Sequence, residues 1–88
     1  MESREPRQPQ WSEAELEELR KIRRLQMLIH LVMCTISQDQ NLTVEEASAM
    51  VADTKRAALA MFPDKELAYD LIYRPRLQRL MKERFRLQ

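Results

Sequence analysis

Apolar residues recur at three- and four-residue intervals along most of this chain, the period of amphipathic helices and not the alternation of half-buried strands. The first such stretch opens at Ser12, where Ser12 and Glu15 form an S-x-x-E capping box and Trp11 and Leu16 stand at the positions of a hydrophobic staple. Glu13, Glu15, Glu17 and Glu18 suit the positive end of a helix dipole. The pattern predicts a long helix over 13–38, with Leu16, Leu19 and Ile22 inward and Glu17 paired with Lys21 outward. From Met27 to Ile36 the helix is apolar nearly all round, so it needs cover on more than one side. Asn41 is expected to end it in the left-handed conformation, with Leu42 as the apolar residue that follows.

Thr43 and Glu46 repeat the capping box, flanked by Leu42 and Ala47. A second helix over 44–61 places Val44, Ala47, Met50, Val51, Thr54, Ala58, Met61 and Phe62 on one face, opposite Glu45, Asp53 and Arg56. Pro63 breaks it. A third helix, expected over 64–86 with Asp64 as its cap, carries Leu67, Ala68, Leu71 and Ile72 and is kinked or broken at Pro75. The expected fold is all-α: a small three-helix bundle over residues 11–88, behind a flexible arm at 1–10 that contains Pro6 and Pro9.

Composition sharpens this picture in two ways. The 88 residues contain no Gly, which argues against tight β-hairpins and glycine-rich phosphate loops. The single Cys, Cys34, cannot form an intramolecular disulfide, and no apolar leader or bilayer-length run is present, so the expected location is cytoplasmic. Net charge is only +1, but it is unevenly placed. Residues 13–18 hold four Glu, whereas residues 74–86 carry six basic side chains against Glu83, a net +5. Such asymmetry bears on partners more than on fold.

Four features are candidates for function. Ile22, Leu25, Ile29, Val32 and Ile36 follow a heptad spacing, and Leu28 and Leu31 add a second apolar strip, so helix 1 offers a surface for a second copy or a partner helix. Beyond Pro75, Arg76, Arg79, Lys82 and Arg86 share one face of helix 3 with Leu77, Leu80, Met81 and Phe85 opposite; with Arg74, these basic residues could contact an anion or nucleic acid. Arg84 falls within the apolar sector and must snorkel or meet a carboxylate. Tyr69 and Tyr73, with the ion-pair spacing Asp70–Arg74, form an aromatic corner at the helix break, where the rings are expected at the core edge with wet hydroxyls. His30 and Cys34 are four residues apart, a spacing that could present two ligands to a metal, but no further ligands accompany them.

With one His, one Cys and no Gly, there is no nucleophile elbow, phosphate loop or full metal-ligand set. The run Leu16-Glu17-Glu18-Leu19-Arg20 resembles part of the first helix of small all-helical chorismate mutases, compact dimers with arginine-rich sites. That resemblance covers one short helical stretch, and no site residue is carried over from it. The functional expectation is therefore a non-enzymatic helical interaction or regulatory module without cofactor, metal or small-molecule substrate. It would self-associate or bind a partner helix; the alternative is nucleic-acid binding through the basic face.

Overall fold

A computed structural model describes residues 10–86, so the arm expected at 1–10 lies outside the described residues except for Gln10. Three helices pack pairwise against one another: α1 (Glu13–Gln38), α2 (Val44–Met61) and α3 (Glu66–Phe85). The fold is all-α, with no strand among the described residues. No helix there is long and apolar enough to cross a membrane.

Both capping boxes form. Ser12 Oγ accepts from the Glu15 amide at 3.1 Å while Glu15 Oε1 accepts from the Ser12 amide at 3.1 Å. Thr43 and Glu46 exchange the equivalent bonds at 3.1 and 2.9 Å. Two amide donors at each helix start thus gain partners that the helix itself does not supply.

The end of α1 differs from the expected glycine-like stop. Asn41 is not left-handed; Arg86, at the end of α3, is the one positive-φ residue among the described ones. Asp39 closes α1 instead. Its amide donates to the Thr35 carbonyl at 2.9 Å, its Oδ1 accepts from the Asn41 amide at 3.0 Å, and its carbonyl accepts from the Leu42 amide at 3.3 Å. This Asx turn satisfies the connection without the steric cost of a left-handed residue.

The start of α3 also shifts. The Lys65 amide donates to the Phe62 carbonyl at 3.1 Å, closing a turn with Pro63 and Asp64 at its centre. Pro63 suits the first central position of such a turn, and Asp64 is held inside it. The helix therefore begins at Glu66, after Lys65, with no side-chain cap. Pro75 neither ends nor interrupts α3. Its ring leaves the Leu71 carbonyl without an intrahelical donor, and Leu71 faces solvent, where water can supply one.

The core consists of Leu25, Ile29, Val32 and Ile36 from α1, Ala47 and Ala58 from α2, and Tyr69, Leu77 and Met81 from α3. Ala47 and Ala58 let the backbones approach closely. Thr54 is buried between them, its hydroxyl donating to the Met50 carbonyl at 2.7 Å. At one end of the bundle Ile22 and Leu25 lie beside Ala68, Tyr69 and Ile72; at the other, Arg84 Nη2 donates to the Asp39 carbonyl at 3.0 Å. Helices α1 and α3 therefore run parallel, with α2 antiparallel to both.

Candidate interaction surface

The heptad spacing of α1 divides once the chain folds. Leu25, Ile29, Val32 and Ile36 are buried in this chain's own core, and Leu28 is half-buried against it. Ile22 is 40% exposed, and Leu31 lies on the outward face, 60% exposed with Met27 beside it. The inward placement expected for Leu19 is not observed, Ile22 turns toward the other helices without being buried, and Leu16 is only half-buried. Among the described residues, no buried or partly buried apolar side chain before Leu25 belongs to the core or packs against it. Trp11 and Leu19 consequently line a shallow, exposed hollow formed by α1 alone.

Helix α3 corrects the sequence reading most. Leu67 and Leu71 are 73% and 69% exposed and Ile72 is 48% exposed, whereas Tyr69, Leu77 and Met81 fill the core. Two apolar stripes compete within the first half of this helix. Only the stripe through Tyr69 and Tyr73 continues past Pro75 into Leu77, Leu80 and Met81, so burying it covers far more area than burying Leu67 and Leu71. That continuity was the signal available in the sequence.

Between α1, the end of α2 and the start of α3 lies a groove of about 320 Å³. Leu25, Ala58 and Tyr69 form its buried part, and Ile22, Leu59, Phe62, Ile72 and Tyr73 form its more open walls. The Tyr69 and Tyr73 rings stand 5.6 Å apart, tilted by 44°, within the range of favourable aromatic pairs. Glu18 and Lys65 are the charged residues along the lining, and the exposed Leu67 and Leu71 lie outside it. A carbon-lined groove of this kind can gain free energy by burying apolar side chains.

Charge is organised beside this groove. Lys55 of α2 sits 3.0 Å from both Glu66 and Asp70 of α3. Asp70 thus pairs across helices and not with Arg74, as its spacing had suggested. Hydrogen bonds to Glu66, then to Asp70, raise the Lys55 ammonium above its ordinary range. The Tyr69 hydroxyl is buried without a hydrogen-bond partner among the described residues, unlike the wet hydroxyl expected there. Burial raises its pKa above the ordinary value, with Lys55 opposing and Asp70 and Tyr73 reinforcing the shift.

Arg74, Arg76, Arg79 and Lys82 of α3 and Arg86 at its C-cap are all exposed, and none has a salt bridge among the described residues. Arg84 is half-buried, but meets the Asp39 carbonyl instead of a carboxylate and stacks 4.8 Å from the centre of the Phe85 ring. Near the start of α1, Glu17 pairs with Arg20 and Glu18 with Lys21, in place of the expected Glu17–Lys21 pair. His30 Nε2 and Cys34 Sγ approach to 3.5 Å on the outer side of α1, and no group of three metal-ligating side chains occurs among the described residues.

No family model, curated protein or solved structure matches this chain.

Proposed function

We propose that the protein is a helical interaction module that receives the apolar side of a partner helix in the groove between α1, α2 and α3. The observation that carries this reading is the carbon-lined groove itself, whose walls Ile22 and Ile72 are left 40% and 48% exposed. Scattered exposed leucines are ordinary on a protein surface, but large apolar side chains left open along a groove mark a contact surface. Partner helices commonly dock in this way, inserting side chains spaced three and four residues apart. Nothing in this role requires bond-making chemistry at the groove, and the module acts by binding.

A photoreactive amino acid in place of Ala68, an exposed residue of the groove lining, tests the reading in cells. A discrete protein adduct is expected from Ala68 and not from the equivalent substitution at Ala52, an exposed residue of α2 away from the groove. Equal labelling from the two positions, or none from Ala68, overturns it.

A second reading draws on the five basic residues of α3 that lack carboxylate partners among the described residues. A row of this kind can bind phosphates, with affinity that falls steeply with salt. It accounts for the charge but leaves the open apolar groove unexplained.

A further inference from the structure

Trp11, 45% exposed, is the single Trp of this chain. It lines a hollow with Ala14, Glu15, Glu18 and Leu19, and Glu18 also lines the groove between α1, α2 and α3. Hollow and groove therefore adjoin along one side of α1 and meet at Glu18. They are opposite in kind. The hollow presents a large aromatic side chain that belongs to no core, whereas the groove presents a space of about 320 Å³ floored by Leu25, Ala58 and Tyr69, with Phe62 and Tyr73 on its walls. An exposed indole seated among such rings gains both buried area and aromatic contacts.

Spacing along α1 relates the two features. Trp11 lies seven residues before Glu18 and Leu25 seven after, about 10 Å to either side at the helical rise. We infer that the chain forms a two-fold dimer in which α1 of each copy lies antiparallel along α1 of the other, with each Trp11 seated in the other copy's groove. This rests on the reading of the groove as the contact surface for a helix, and it names that helix as α1 of a second copy. A two-fold axis beside Glu18 sets Trp11 level with Leu25 of the second copy, and the small Ala14 level with its Ile22. Knob and groove then meet twice in one register, and the assembly closes. A parallel pair would set Trp11 against Trp11 and leave both grooves open. The opening turns of α1, which add no side chain to the core among the described residues, gain cover in the same step. Charge does not set the direction. The two Glu18 side chains approach each other at the axis, where each has Lys21 at 3.9 Å and Lys65 in the same groove lining to offset it.

Sedimentation velocity and intrinsic fluorescence of the purified full chain test this together, because one Trp supplies the whole indole signal. Wild type should sediment as a dimer at micromolar concentration with blue-shifted emission, and dilution should halve the mass and shift the emission to the red over one concentration range. Trp11→Ala, outside the helices and the core, should weaken association roughly thirtyfold or more, as for a central interface Trp. Ala68→Arg places a charge in the groove at an exposed position. It should keep the helical circular dichroism, sediment as a monomer and show water-like Trp emission at every concentration. A wild type that stays monomeric, a dimer that survives either substitution, or dimerisation without a change in Trp emission overturns the inference. Monomeric wild type together with an Ala68 photo-adduct of a different protein overturns the self-association and leaves the groove reading standing. Monomeric wild type with no Ala68 adduct overturns both.

Discussion

The Arg84 guanidinium donates to the main-chain carbonyl of Asp39, 3.0 Å away across 45 residues of sequence. That oxygen belongs to the negative end of α1, where a cation near the last carbonyls is favoured. The same contact brings the ends of α1 and α3 together and explains why a basic residue tolerates a position beside the core. Arg84→Met keeps the apolar stem but removes the donor. It should lower unfolding free energy by about 1 kcal/mol, read as a drop in the urea midpoint with the helical spectrum retained.

Thr43 and Ser12 make the same capping box at different depths in the structure. Thr43→Ala should cost about 1 kcal/mol of global stability, because α2 begins next to the buried Ala47. Ser12→Ala acts on turns that contribute no side chain to the core among the described residues. Its effect should appear as faster amide exchange over Glu13–Glu18, with little movement of the global urea midpoint. A large global loss on Ser12→Ala would mean that these turns are covered within the chain.

Helix α3 runs through Pro75 at an exposed position, so the proline removes a main-chain bond without an evident packing gain. Pro75→Ala should raise stability by about 1–3 kcal/mol, toward the helix-interior cost of proline. Thermal unfolding reads this directly. No gain would indicate that the helix needs the proline's distortion for its packing.

The raised pKa values of Lys55 and Tyr69 act in the same direction on stability. Each group binds its proton more tightly in the folded state, so the stabilisation is full below the unfolded pKa and is lost as pH rises through the folded one. For these two groups the window opens above the ordinary values of 10.0 for Tyr and 10.5 for Lys. Urea midpoints should fall between pH 9.5 and 11.5, a range set by those ordinary values. Tyr69→Phe removes a buried hydroxyl without a partner, so it should be neutral or stabilising at pH 7 and should shrink the alkaline loss. A clear loss of stability at pH 7 would show that the hydroxyl is hydrogen-bonded.

The three helices were legible in the sequence because their start signals are local. Ser12–Glu15 and Thr43–Glu46 satisfy amides within four residues, and Pro63 forbids the continuation of α2. The heptad positions Leu25, Ile29, Val32 and Ile36 were equally readable as a buried stripe, but periodicity cannot tell whether the same chain or another covers it. Two helices, α2 and α3, long enough to wrap one side of α1 decide that in favour of the chain's own core. Asn41 and Asp64 went differently from expectation because each has a competing use in a turn, set by Asp39 in one case and Pro63 in the other. The groove was least legible. It depends on which stripe of α3 wins the core, and that choice rests on packing against α1 and α2, not on any local motif.

The central claim is that Ile72 and its neighbours form a contact surface and not an unfinished core. The most direct test is the yield of the Ala68 photo-adduct in an Ile72→Gln background, with the urea midpoint measured on the same protein. The account predicts that the adduct is lost while stability stays within about 1 kcal/mol of wild type, since half of this side chain is already in water. An adduct that persists undiminished, or a destabilisation of about 2–5 kcal/mol like that expected for truncating the buried Leu77, would contradict it.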